Sequence, residues 1–199
     1  MSSFDTRAKD WDKLPRRVQN ALNIANSIKN TISLNYNMEI IDFGVGTGLL
    51  GFEIAKDVKK VYGVDTSSKM LEEINSKNTP QNYIEPIKKD LTTEELDLKV
   101  DGIISSMTLH HIEDIYYLFE RFYEMLNKGG FLAIADLAKE DGTFHDDNTT
   151  VKHFGFEKEY LFDILNEIGY KDYDFKITHS VKKPHKEFDI FLLTAFKKS

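Results

Sequence analysis

From residue 39 onward, short β-rich runs alternate with longer segments of helical period, and this alternation restricts the chain to an α/β domain built on a parallel sheet. Strands are expected near 39–43, 60–64, 84–89, 101–106 and 130–136, with helices near 48–57, 67–77 and 114–127 between them. The third of these helices carries Ile115, Leu118, Phe119, Phe122, Met125 and Leu126 on one face, and Gly129 is placed to end it. A polar, glycine-containing loop over 136–153 follows, then a helix with Leu161, Ile164, Leu165 and Ile168 in register that stops at Gly169. The closing β-rich runs, "YKDYDFKITHSV" and "EFDIFLLTAFKK", are joined by "KKPHK", too short for a crossover helix, so an antiparallel hairpin is expected. Ahead of the sheet, the stripes Phe4, Ala8, Trp11 and Val18, Ala21, Leu22, Ala25, Ile28 predict two helices.

A length of 199 residues fits a single domain over 1–199 with its own core. The formal net charge is −7 and the basic residues are scattered rather than gathered in a stripe, a balance that repels phosphate backbones and argues against nucleic acid as a partner. With no cysteine, disulfides, thiolate metal sites and cysteine nucleophiles are excluded together. The opening "MSSFDTRAKDWDKLPRR" has no apolar core, and no later apolar run could span a bilayer, so a cytoplasmic protein with no membrane partner is expected.

The functional question is what the stretch "IIDFGVGTGLLG", residues 40–51, is built to hold. Glycine lacks a Cβ and tolerates positive φ, so a strand, a glycine turn and a helix in succession let backbone approach a nucleotide closely. Read from Gly46, "GTGLLG" satisfies the dinucleotide fingerprint, with Asp65 at the expected distance downstream. Read from Asp42, the same residues give an acid two positions before Gly44, Gly46 and Gly48. A carboxylate there suits a ligand with an ammonium group and repels a pyrophosphate.

Later segments decide between the two. "VYGVDTSSKML" ends its strand on Asp65, whose two oxygens can accept both ribose hydroxyls; Thr66 follows, and Met70 can lay a thioether against an adenine face. "IKKDL" ends the third strand on Asp90, placed to accept from an exocyclic adenine amine, while Leu91 offers a backbone N–H to the ring. "DGIISSMTLHHIED" ends the fourth strand in small hydroxyls, Ser105 among them, before paired histidines, and "LNKGGFLAIAD" supplies a glycine turn into the fifth. All lie at the carboxyl ends of strands, where open α/β sheets bind ligands.

The ordered set "DFGVGTG", "GVDTSSKML", "KKDL", "MTLHHIED" and "LNKGGFLAIAD", with the closing hairpin, resembles a class I S-adenosylmethionine (AdoMet) dependent methyltransferase of the small-molecule type, from about Phe4 to Phe196. The resemblance implies a Rossmann-like, three-layer sheet of seven strands in order 3-2-1-4-5-7-6, the seventh antiparallel. It implies AdoMet as cofactor, S-adenosylhomocysteine as product and a small-molecule methyl acceptor, in a monomer or homodimer. It divides the chain into an N-terminal helical lid (1–35), which brings Trp11 over the cofactor, and an AdoMet-binding core (36–199).

Of the six histidines, four fall where the fold presents an acceptor to the methyl group. As candidate general bases they rank His110, then His153, then His145, with His111 last; His179 and His185 carry no expected role. No H-x-x-x-H or H-E-x-x-H spacing occurs and "FHDDN" reads as a solvated loop, so no metal is expected. The nucleobase-amine signature [DN]-P-P-Y is absent; the equivalent strand end reads Ser105, Ser106, Met107, Thr108. Two rivals remain at this point: an NAD-dependent oxidoreductase, supported by "GTGLLG" and Asp65 alone, and a non-catalytic AdoMet-binding regulatory protein.

Overall fold

Seven strands, β1 (Glu39–Phe43), β2 (Lys60–Asp65), β3 (Ile84–Lys88), β4 (Val100–Ser106), β5 (Leu126–Leu137), β6 (Lys171–Lys183) and β7 (Lys186–Phe196), pair in the order β3-β2-β1-β4-β5-β7-β6. The computed structural model in which they are seen describes residues 3–184 and 186–198, with side chains from residue 5 onward; His185 and the side chain of Phe4 lie outside the described residues. The pairs β1/β2, β2/β3, β1/β4 and β4/β5 are parallel, and β7 runs antiparallel to both β5 and β6. Strand order and hairpin agree with the sequence-based expectation.

Period-two alternation in the strands sends successive apolar residues to opposite faces and creates two cores. Ile41, Phe43, Ile103, Leu132, Ile134 and Phe191 pack under α5 (Ile115–Met125) and α6 (Lys158–Ile168), whose buried stripes are Ile115, Leu118, Phe119, Phe122, Met125 and Leu161, Ile164, Leu165. On the other face Ile40, Val61, Ile104, Ala133 and Ile190 meet α2 (Pro15–Thr31), α3 (Leu49–Ile54) and α4 (Ser68–Lys77). Local chemistry starts and stops these helices. Asp114 accepts the Tyr117 N–H at 2.9 Å to cap α5, Ser67 accepts the Met70 N–H at 3.2 Å to cap α4, and Gly169 leaves α6 at φ 106°.

Three boundaries differ from expectation. Helix α3 spans only Leu49–Ile54, because the chain must then turn to bring the Lys59 N–H onto Met38 O and start β2 beside β1. Helix α5 stops at Met125, and β5 begins at Leu126, paired with Val100 ahead of a register shift at Gly102. Gly129 does not cap the helix; at φ 74° it donates its N–H to Lys197 O. At the N-terminus, the first expected helix is a single turn, α1 (Ser3–Arg7), running into a 3₁₀ segment over Ala8–Lys13. No helix among the described residues is long and apolar enough to cross a membrane.

Candidate active site

Strand order reverses between β1 and β4, so their carboxyl ends splay apart and open a crevice. A cavity of about 1160 Å³ occupies it, lined by residues 42–47, 49 and 50 and by Arg7, Trp11 and Arg17 from the N-terminal segment. Gly44, Gly46 and Gly48 all hold positive φ (66°, 53° and 86°), but for different reasons. A Cβ on Gly44 would lie 2.3 Å from the Thr108 side chain, and one on Gly48 would lie 2.8 Å from the Phe52 ring. A Cβ on Gly46 would meet nothing within 4 Å. Gly44 and Gly48 therefore allow packing; Gly46 turns bare backbone toward open space, and Gly48 is not in the cavity wall.

Asp42, Asp65, Thr66, Met70, Asp90 and Trp11 all line the cavity. Asp42 is 1% exposed, and its Oδ2 is buried without a hydrogen-bond partner. Burial, and secondarily the Asp65 carboxylate, push its carboxyl well above the ordinary value, an effect the Gly51 N–H only partly offsets. Asp65 accepts the Gly46 N–H on Oδ2 and the Ser67 N–H on Oδ1, each at 2.8 Å. Each of its oxygens keeps a second lone pair, so the side chain both shapes the glycine loop and can still accept from a ligand. Burial raises the Asp65 carboxyl despite these N–H groups. Asp90 spends Oδ1 on the Thr92 N–H (2.9 Å) and hydroxyl (2.6 Å) in a local turn.

Two expected contacts are not in the cavity wall. Leu91 is fully buried in the core under α5, and Ser105 donates its hydroxyl to Phe43 O at 2.7 Å, tying β4 to β1. Strand alternation explains the latter: if Ser105 points into the sheet, Ser106 must face the crevice, and Ser106 lines it.

The N-terminal segment is latched to the glycine loop by side chains that local sequence does not single out. Thr47 donates its hydroxyl to Asp12 Oδ1 at 2.6 Å, Lys77 bridges Asp12 Oδ2 and Thr47 O, and Ser67 donates to Asp5 Oδ1 at 2.6 Å. Arg17 lays its guanidinium 3.7 Å from the centroid of the Trp11 ring and donates to Trp11 O, which fixes the indole at the rim. The "PRR" run beside the Trp11 stripe was the available sequence signal for this contact.

Elsewhere in the cavity wall, three histidines converge. His110, 1% exposed, shares Nδ1 with Asp136 Oδ1 at 2.7 Å, and its backbone N–H reaches Asp136 Oδ2 at 3.1 Å. Its ring centroid lies 4.1 Å from that of His111 and 4.7 Å from that of His145. Burial would raise the Asp136 carboxyl, but His110 beside it and the N–H groups of Leu137 and His110 bring it below its ordinary value. Burial and the neighbouring histidines depress the other two rings, His145 to about 4. His153 is elsewhere: its Nε2 meets Ile112 O at 2.9 Å, its ring sits 5.0 Å from Phe156, and it is not in the cavity wall. Geometry thus replaces His153, ranked second from sequence, with His111, ranked last.

The state of Asp42 has a measurable consequence. Its folded carboxyl pKa is raised, so the folded state keeps a proton that the unfolded chain releases near the ordinary value of 3.8. The folded state then binds more protons, and stability is lost as pH rises from there through the raised value. Asp42→Asn should flatten this loss; urea unfolding at about pH 5 and about pH 8 checks it. Equal pH dependence in wild type and variant would show that Asp42 ionises in the folded protein as it does in water.

Residues 40–130, which run from β1 into β5, match the family described as Methyltransferase domain. An uncharacterized methyltransferase of Schizosaccharomyces pombe is 31% identical over 122 residues, 54% of this chain and 42% of that protein, and one of Bacillus cereus is 29% identical over 60% of this chain and 57% of that protein. The chain thus spans about half the length of these curated relatives. In fold it is similar to Haemonchus contortus phosphoethanolamine N-methyltransferase 2, crystallised with S-adenosyl-L-methionine (TM-score 0.72, 16% identity, 100% of this chain and 61% of that one). It is also similar to magnesium protoporphyrin IX methyltransferase of Synechocystis PCC 6803 with bound SAM (TM-score 0.68, 18% identity, 100% and 86%). In the sequence of residues 40–130 and in the strand order of the whole sheet, the chain is thus similar to S-adenosylmethionine-dependent methyltransferases.

Proposed function

We propose that the cavity binds AdoMet and that the protein transfers its methyl group to a small-molecule acceptor, leaving S-adenosylhomocysteine. The observation that carries this reading is the buried, unpartnered Oδ2 of Asp42 at the tip of β1, in the cavity wall. A buried carboxylate oxygen without a donor is costly, and a cationic ligand group is what relieves it; a pyrophosphate would aggravate it. That separates AdoMet from NAD, which the glycine fingerprint alone leaves open. When bound, AdoMet supplies an activated methyl group with a good leaving group.

The chain's own residues then have to bind, orient and exclude water. Asp65 would accept from the ribose, and the open backbone at Gly46 leaves room for the ligand to approach it. Met70, 2% exposed, forms a flexible apolar wall for adenine, opposite Asp90. Residues 1–35 serve as the lid, with Trp11 and Arg17 over the cofactor end. The acceptor would enter at the other end, against His110, His111 and His145, with His110 held by Asp136 in one orientation.

Calorimetry against AdoMet, S-adenosylhomocysteine and NAD tests the cofactor, with binding of the first two and none of the third expected. NAD binding with no AdoMet binding would overturn the reading; a turnover screen with labelled AdoMet then distinguishes an enzyme from a non-catalytic binder. Removing residues 1–14, with the Asp5 and Asp12 latches, should leave the sheet folded and speed AdoMet dissociation by at least about tenfold. An unchanged dissociation rate would refute the lid.

A further inference from the structure

We propose that His110, His111 and His145 form a binding site for one divalent first-row transition ion, with zinc as its best representative, at the acceptor end of the cavity. One ring nitrogen from each lies within 4.8 Å of the other two. No local spacing announces this, because the third imidazole arrives from the connection between β5 and α6.

The nitrogens are presented as ligands are. Asp136, which accepts the His110 and Leu137 backbone N–H groups, lies 2.7 Å from His110 Nδ1 through Oδ1 and so engages that side of the ring; Nε2 on the other side is buried and has no hydrogen-bond partner. His111 Nδ1 lies 2.9 Å from Thr150 O, and a carbonyl can only accept, so its lone pair is on Nε2. Metal-bound imidazoles are held in this manner, with the far N–H on a carboxylate or backbone carbonyl. The third ring, His145, has a buried Nδ1 without a partner. Two orphaned nitrogens on rings whose centroids lie 4.7 Å apart are explained by an electron-pair acceptor shared between the rings, whereas a lone general base needs only one imidazole.

The size also fits. Zinc–nitrogen bonds of about 2.0–2.1 Å place tetrahedral ligand atoms about 3.3 Å apart, so the present separations close by at most about 1.5 Å. His145 can supply that movement, since residues 138–157 contain no helix or strand, whereas His110 is fixed by Asp136. Three neutral nitrogen ligands with the fourth position open to the cavity is the arrangement of a catalytic rather than a structural zinc.

The site stands without the methyl-transfer reading; only its use rests on it. An acceptor hydroxyl, thiol or amine in the open position would lose its proton to solvent more readily. Its lone pair would then form the bond to the methyl carbon as the carbon–sulfur bond breaks, both electrons of that bond passing to sulfur and neutralising the sulfonium.

The test is zinc alone, titrated into the full chain after chelator treatment, without AdoMet. One ion per chain should bind, with a rise in thermal unfolding temperature. His145→Ala and His111→Ala should each weaken binding by about 100-fold or more, while His153→Ala should match wild type. Because His145 and His111 lie toward the cavity rather than in the core, these variants should fold, which circular dichroism checks. Wild-type zinc affinity in both variants, or no stoichiometric binding by the wild type, would overturn the site. Failure of AdoMet binding in the separate calorimetry would overturn only the methyl-transfer reading.

Discussion

Gly46→Val should abolish AdoMet binding, lowering affinity by more than about 100-fold, or about 2.7 kcal/mol, while leaving a folded sheet. At φ 53° a β-branched residue is strained, so thermal stability should also fall, by about 1–2 kcal/mol. The added side chain has nothing to collide with in the protein; a Cβ there meets no atom within 4 Å. What it occupies is the space where ligand would approach the backbone. Gly44→Val makes the informative comparison, because there a Cβ would lie 2.3 Å from Thr108 and the damage should appear mainly as lost stability. Titration calorimetry and urea unfolding on both variants separate the two effects. If Gly46→Val binds AdoMet as the wild type does, the loop is only a turn and the ligand lies elsewhere.

That contrast also shows how far the sequence could be read. The glycines were visible as a set, and their common positive φ was implied by the turn they had to make, but only packing distinguishes Gly46 from Gly44 and Gly48. Strand order was implied by the family resemblance that five ordered motifs carry, and the hairpin by the shortness of "KKPHK". Asp42, Asp65 and Met70 were legible because each lies at or just beyond a strand end, where topology alone dictates what it faces. Ser105 was misplaced by one position in the pleat; its hydroxyl ties β4 to β1, and Ser106 faces the crevice.

What could not be read is what depends on long-range contact. Asp12, Thr47 and Lys77 form one latch from three separate elements, and nothing in the neighbourhood of any one announces the other two. The histidines show the same limit. Residues 110, 111 and 145 share no ligand-like spacing, and their meeting depends on a loop that folds back along β5, with the Lys152 and His153 N–H groups both on His110 O. That anchoring also explains His153. Its backbone is spent on His110 while its ring turns to Ile112 O and Phe156, away from the cavity.

Asp136→Ala should cost about 3–5 kcal/mol of folding stability, a large share of what a domain of this size possesses. Asp136 is fully buried at the carboxyl end of β5, opposite Phe191 of β7, so water cannot replace what the carboxylate does. It accepts from the Nδ1 side of His110 at 2.7 Å, from the Leu137 N–H at 2.7 Å and from the His110 N–H at 3.1 Å. Truncation leaves all three without their acceptor in a place with no room for solvent, and each unmet buried donor is costly in its own right. The loss should be steeper than for an exposed pair such as Lys69 with Glu72, which water and salt screen. Asp136→Asn keeps the volume and one acceptor oxygen, so it should recover part of the stability but hold His110 less firmly. Urea unfolding of both variants beside a Glu72→Ala control measures the difference. A cost below about 1 kcal/mol for Asp136→Ala would mean that His110 is oriented by something other than this carboxylate, and the histidine cluster would lose the group that fixes its geometry.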